Sequence, residues 1–395
     1  MIYYGLAIIS PEVFLVTAMI VCTITSLATG TSWGTMGTMG LAIMGIGAVL
    51  NIPIGPTAGA IVSGAYFGDK MSPLSGSTNL AATMAGTDVF TNIKYMLRPT
   101  LVAYIITLIF FGIYGATFAT TGSDTSDVTA LMNSITSTFN INPFLLIPPL
   151  VVVLAIVFKI PALPGITLGA IAGAILACIF QGDLTIYNSS GVIVANGVDF
   201  GTILNASKDG FFYVSDNELL NELLTTGGIM NMSSSILMIL IAMMFGGIME
   251  GTGQLDIIIK AILKHVKTDF GLVATTEVTC LVSNIVMPEQ YISILIPGRM
   301  FNSSYRKRGL HPKCLSNALE SSGTVTSPLV PWNTCALYID STLGVVPFGP
   351  NGYAIWSIFN LLVPIINLIM ALFKITITKM TKEEQKLADA GEIVV

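Results

Sequence analysis

Apolar runs of about twenty residues recur along the whole chain, and a helix of that length matches the hydrocarbon thickness of a bilayer. Eleven segments qualify: 11–29, 32–50, 57–85, 99–118, 143–158, 161–180, 233–252, 269–287, 290–303, 313–341 and 354–376. Only 10% of the residues are charged and 53% are hydrophobic, whereas a soluble domain carries about 25% charged residues. The alternation expected of lipid-facing barrel strands is absent. The expectation is an all-α integral membrane protein, a polytopic helical bundle with the lipid bilayer as its first partner.

The basic residues set the orientation. With eleven crossings, fifteen of the seventeen Lys and Arg residues fall on one side, in clusters at 94–98, 159, 260–267, 299–313 and 374–386. That side is the cytoplasm, so the C-terminus is expected there, in a multi-pass protein of the cell (plasma) membrane. The polar segments 119–142 and 181–232 hold Asp124, Asp127, Asp183, Asp199, Asp216, Glu218 and Glu222 and read as exterior loops. Leu255–Lys267 reads as an interfacial helix, an anchor or connector ahead of a coupling device. No Lys or Arg precedes Lys70, so no signal peptide is expected, and 1–10 reads as the remnant of an upstream helix. The five cysteines form no CxxC pair and read as small buried hydrophobes.

Two of the spans are broken. Gly68-Asp69-Lys70-Met71-Ser72-Pro73-Leu74-Ser75-Gly76-Ser77-Thr78-Asn79 puts charges, a proline and hydroxyls into apolar surroundings, and Ser327-Pro328-Leu329 repeats its centre 255 residues later. That alignment sets Thr78 against Asn333 and Asn79 against Thr334. Upstream, each half has a span followed by a polar break, at Gly30–Thr35 and at Pro288–Gln290. The domain reading is therefore repeat 1 at 11–118, connecting helices and loops at 119–268, repeat 2 at 269–376, and a cytoplasmic tail at 377–395. An odd number of crossings before repeat 2 inverts it, and the basic loops change places accordingly. Inverted repeats with matching interrupted helices point to a secondary transporter.

Broken helices at membrane depth survive only where protein or a wet cavity covers them. Their free carbonyls, with hydroxyl and amide oxygens, can replace the water shell of a hard cation such as Na+. Ser72, Ser75, Ser77, Thr78 and Asn79 supply such oxygens, mirrored by Ser321, Ser322, Thr324, Thr326, Ser327, Asn333 and Thr334. Carboxylates inside a membrane are costly and count as functional candidates. Here they are Asp69, Glu250, Glu277, Glu289, Glu320 and Asp340, with Glu250 and Asp340 near span ends. Each has a plainer reading. Asp69 with Lys70 is either a structural ion pair capping the break or part of the site, and Glu277 is either a helix-pairing group or functional. Trp33 and Trp332 are pathway or packing residues. Gly30, Gly34, Gly37 and Gly40 allow close helix packing. His265 and His311 read as solvated. A carboxylate that accepts either a proton or Na+ is the minimal device for exchange.

GTSWGTMGTMG (30–40), SGAYFGDKMSPLSGSTNLA (63–81), MPEQYISILIPGRMF (287–301) and LESSGTVTSPLVPWNTCA (319–336) resemble the NhaC-type Na+/H+ antiporter family. The resemblance covers nearly the whole chain. It implies an electrochemical exchanger of Na+ and H+, without a cofactor. Some members look like organic-acid exchangers that import malate with protons and export lactate with Na+. By resemblance the site would involve Asp69, Ser72, Ser75, Thr78, Asn79, Glu289, Glu320, Thr324, Ser327, Asn333 and Thr334. The chain departs from the family pattern at two places where an acid is common, having Gly76 and Ser321 instead. Family members also begin with further apolar helices.

The expected function is Na+/H+ antiport by alternating access. The alternative is a coupled organic-acid or amino-acid exchanger. An intramembrane enzyme would need a motif such as HExxH, which is absent, and nothing points to nucleic acid. Self-association is left open.

Overall fold

The computed structural model describes residues 10–117, 135–158, 160, 162–215, 221, 225–253, 257, 266, 268–390 and 392–394. The described chain is mostly helical. Helices Pro11–Thr29, Val89–Ala116 and Asp269–Val286 are long and apolar enough to cross a membrane, and Ile358–Leu372 is a shorter apolar one.

Helix α1, Phe14–Thr29, follows a 3-10 turn at Pro11–Val13 and ends at Gly30, whose φ of 69° suits glycine. A Cβ at Gly30 would also lie 2.7 Å from the backbone of Leu74 in the next break, so two breaks touch here. Thr31 caps α2, Ser32–Thr35, which runs through a π-turn at Met36–Gly40 into α3, Leu41–Val49. Helix α4, Ile54–Met71, lies along α1 so closely that Thr23 and Ser26 donate their hydroxyls to the carbonyls of Gly64 and Ala65. It stops before Pro73, which disfavours helix at Ser72. Ser75 caps α5, Gly76–Ala85, by accepting from the Thr78 amide, and α5 ends at Gly86 with φ 83°. Asp88 caps α6, Val89–Ala116. That helix starts ten residues before the expected 99, because 89–98, with Lys94 and Arg98, is helical rather than loop.

The middle of the chain carries α7 (Ile147–Val157) and α8 (Ala162–Phe180), packed on each other, and α10 (Ser233–Gly251) further on. The segment 181–232 is not only loop. It holds strands β1 (Thr185–Tyr187) and β2 (Ile193–Asn196), helix α9 (Phe200–Asp209), and β3 (Gly210–Phe211) paired with β4 (Thr226–Gly227). The expected 1–10 remnant (except Ser10), the interfacial helix (except Ile257 and Val266) and Lys159, Asp124, Asp127, Asp216, Glu218, Glu222 and His265 lie outside the described residues, as does the Glu250 side chain.

The later half is also a run of helices around a break. Helix α11 is Asp269–Val286, and Glu289 caps α12, Gln290–Lys307. Helix α13, Pro312–Leu319, passes into a π-turn at Glu320–Thr324 and a 3-10 turn at Ser327–Leu329. Asn333 caps α14, Thr334–Leu343, which ends at Gly344 with φ 70°, and α15 is Ile358–Leu372. Helices α5 and α14 have ten residues each, a polar cap before and a left-handed glycine after. Counted from the two Ser-Pro-Leu runs, the Asn333 cap lies three residues further on than the Ser75 cap.

The half-helices after the breaks exchange partners. Helix α5 packs on α12 and α13, and Asn302 of α12 donates to the carbonyls of Met84 and Ala85 that end α5. Helix α14 packs on α2, α3 and their π-turn, with Tyr338 stacked on Trp33 at 4.4 Å and donating to the Trp33 carbonyl. Two apolar cores result, one centred on α1 and α4 but including Cys335, Ile339 and Leu343, the other centred on α11–α13 but including Ala81 and Ala85.

The expected tail folds back. Helix α16, Lys382–Ala390, follows a bridge between Lys379 and Leu310, and Thr87 donates to the carbonyl of Val394. His311, expected to be solvated, is buried beneath this tail, caps α13 and lies 3.8 Å from Glu384. The Thr381 amide, with the nearby His311 and Lys313, holds the Glu384 carboxyl below its ordinary range.

The α1–α4 contact rests on missing side chains. A Cβ at Gly68 would lie 2.5 Å from Cβ of Ser26 and 2.7 Å from the Thr23 carbonyl. Gly68→Ala is expected to lower stability by about 2 kcal/mol through overpacking, read as a lower melting temperature in detergent.

Candidate functional site

The breaks need their freed backbone groups answered, and side chains do most of it. Asn284 of α11 donates to the Gly323 carbonyl at 2.8 Å, Asn360 of α15 to Val325 at 2.8 Å, and Tyr353 to Pro328 at 2.6 Å. In the first break Ser72 donates to the Leu27 carbonyl at 2.8 Å, and Asn79 to the carbonyls of Pro73 and Ser75. Thr78 donates to the carbonyls of Asp69 and Lys70. The second break has Asn333 on Asn284, and Ser327 on the Thr324 carbonyl and on Gln290. Ser72, Asn79, Ser327 and Asn333 therefore hold backbone in place. Glu289 spends one carboxylate oxygen capping α12 through the Ile292 amide. Trp332 is half exposed and donates to the Ile285 carbonyl, and Asp340 is exposed.

Asp69 and Lys70 end α4, both buried, and diverge. One Asp69 oxygen accepts from the Ser32 amide at 3.2 Å and the Ser32 hydroxyl at 2.7 Å; the other accepts from the Ser75 hydroxyl at 2.6 Å. The Lys70 ammonium donates to the Ser321 hydroxyl at 3.2 Å and to the Met96 sulfur at 3.6 Å. The structural Asp69–Lys70 ion pair is not formed. Among the described residues no carboxylate comes within 4.0 Å of Lys70.

The π-turn 320–324 packs against α4 and α5 and brings Glu320 to the first break. Glu320 is fully buried, and neither carboxylate oxygen meets a hydrogen-bond donor. The Thr324 and Ser77 hydroxyls face it, and the Thr324 hydroxyl is itself without a partner. Ser77 lies 3.0 Å from Ser75, which holds Asp69, so hydroxyls run from one carboxylate to the other. The two are close enough for their charges to interact. Of the residues singled out in the sequence the structure thus gathers Asp69, Ser75, Ser77, Glu320 and Thr324. Thr334 is buried with an unpartnered hydroxyl in the second break, and Thr78 braces the backbone. At position 76, where the resemblance calls for an acid, a Cβ would lie 2.9 Å from the Tyr291 hydroxyl.

A second polar set is buried behind Lys70. The Ser321 hydroxyl donates to Asn317 at 3.3 Å, the Asn317 amide donates to Asn367 at 2.7 Å, and the Asn367 amide donates to Glu277. The other Glu277 oxygen has no partner. The sequence left Glu277 ambiguous and Asn317 and Asn367 unremarked, because they sit in unbroken helix where a lone amide gives no signal. An acid on α11 and amides on α13 and α15 were the available clue.

The Na+/H+ antiporter family model matches residues 64–375. The chain belongs to the Na+/H+ antiporter family. It is 38% identical over 348 residues to the malate-2H(+)/Na(+)-lactate antiporter of Bacillus subtilis (strain 168), covering 88% of this chain and 71% of that protein. To the Na(+)/H(+) antiporter NhaC of Alkalihalophilus pseudofirmus it is 36% identical over 389 residues, 98% of this chain and 79% of that one. To the arginine/ornithine antiporter ArcD of Halobacterium salinarum it is 32% identical over 371 residues, 93% and 73% of the two chains. No solved structure matches. The family and these relatives are transporters, and the chain is a multi-pass membrane protein.

Ser32→Ala and Ser75→Ala each remove a hydrogen bond to a buried carboxylate, so each is expected to cost about 2 kcal/mol of stability. The double variant is expected to lose less than the sum, since after the first loss Asp69 takes a proton and the second bond matters less. Melting curves of the four proteins in detergent measure this.

Proposed function

We propose that the chain exchanges Na+ for H+ by alternating access, the two ions competing at Glu320 and Asp69 beside the broken helices. The observation that carries this reading is Glu320, fully buried with no donor on either oxygen. A carboxylate so enclosed is tolerable only when a proton or a cation neutralises it. Na+ arriving there finds the Glu320 oxygens and the Thr324 and Ser77 hydroxyls as ligands, with Asp69 adding a second negative charge. A proton answers the same need without the hydroxyls, so the two states exclude each other.

The working frame is an inverted pair, 11–118 and 269–376, joined by 119–268, in the plasma membrane with the C-terminus cytoplasmic. The equal lengths, caps and left-handed ends of α5 and α14, and their exchange of partners, support this frame. Alternating access then consists of one half rocking against the other around the fixed carboxylates.

A second reading is exchange of organic acids or amino acids coupled to Na+ or H+. Lys70, a buried cation with no carboxylate in contact, favours it, as do the malate/lactate and arginine/ornithine relatives.

Counterflow of labelled Na+ in proteoliposomes tests the first reading. Glu320→Gln is expected to reduce it at least about a hundredfold, the loss of a transported ion's main ligand being worth about 3 kcal/mol or more. Counterflow of labelled malate, lactate or arginine, with none of Na+, would establish the second reading in its place.

A further inference from the structure

Lys70, Ser321, Asn317, Asn367 and Glu277 form one buried chain drawn from four elements: α4, the π-turn with α13, α15 and α11. Every hydrogen bond in it runs the same way. An ammonium has only donors, so Ser321 must accept from Lys70 and turn its own proton to Asn317. Asn317, having spent its carbonyl, must present its NH2 to Asn367, which in turn presents its NH2 to Glu277. The cation at one end thus dictates that Glu277 be an acceptor through one oxygen. The second oxygen, buried and unpartnered, is left with room for one thing the protein does not supply.

We propose that this second oxygen of Glu277 is a further proton-binding site, with Lys70 as its tethered counter-cation, separate from the Asp69/Glu320 pair. The inference rests on the exchange reading above and adds a second proton to it. The groups facing Glu277 are Lys70 from α4, Tyr305 from α12 and Cys280 on its own helix, and α15 presents the Asn367 amide. Lys70 lies within electrostatic reach of both Glu320 and Glu277. Ser321, which links the relay to Lys70, lies next to Glu320 in the π-turn, and Ser322 of the same turn donates to the Glu277 backbone carbonyl. Closing Glu320 and Thr324 around Na+ moves that turn and with it the Lys70–Ser321 contact, so the Na+-loaded turn favours ionised Glu277 and one cation replaces a proton at each carboxylate. By linkage, a proton entering Glu277 weakens Na+ at Glu320 by the same factor.

The test uses the full chain in proteoliposomes, taking the H+/Na+ ratio from the membrane voltage at which net flux vanishes. The ratio is expected to fall by about one proton per Na+ in Glu277→Gln. Asn317→Ala, which keeps both charges and breaks the relay, is expected to lower it in the same direction. Should Glu277→Gln not fold, infrared difference spectra of the unmodified protein answer instead. Na+ must then remove the C=O stretch of two carboxylic acids, and neither loss is expected in Glu320→Gln, which lacks the main Na+ ligand. An unchanged ratio in both variants, or loss of a single carboxylic-acid band on adding Na+, overturns the proposal while leaving exchange at Glu320 standing. Absence of Na+ counterflow in the unmodified protein overturns the exchange reading itself.

Discussion

Asp69 and Lys70 are adjacent, oppositely charged and buried, yet they do not pair. The rest of the structure depends on that divergence. Had they paired, α4 could have ended in a neutral cap with no need of the other half. Instead Asp69 is anchored by Ser32 and Ser75 within the first half, and Lys70 crosses to Ser321 in the second. Breaking either set leaves a buried charge without its partner, at a cost of about 3–5 kcal/mol. The two halves are thereby held in register at their breaks.

The same economy of polar groups explains why so many of the hydroxyls and amides are structural. An interrupted helix in lipid exposes carbonyls and amides that water cannot reach, and Asn284, Asn360, Tyr353, Ser72 and Asn79 answer them. What is left over is informative. Oxygens of Glu320, Thr324 and Glu277 are buried and unanswered, as are the hydroxyls of Thr279, Ser283 and Thr334 nearby, and among the described residues the two glutamates are the carboxylates in that group.

Much of this was legible in the residues. Several of the helices, both breaks and the family emerge from apolar runs, prolines, glycines and four motifs. Asp69 and Glu320 stood out because charge is rare there. The start of α6 was missed because Lys94 and Arg98 look like loop, while the structure places them on a helix capped by Asp88. The burial of His311 depends on a tail that returns from some seventy residues downstream, as in the 2.8 Å bond from its amide to Thr378. Asn317 and Asn367 carry no local sign at all. Their meaning lies in a hydrogen bond between residues fifty positions apart.

The exchange of half-helices has a consequence for how the protein is made. Helix α5 enters the bilayer some 220 residues ahead of the Asn302 that answers its last carbonyls, and Lys70 some 250 ahead of Ser321. During synthesis the first half must therefore wait, with a cation and an open helix end facing lipid or the insertion machinery, until the second arrives. The nascent chain is most exposed to quality control in that interval, and substitutions in the later half are felt first as failure of the earlier one.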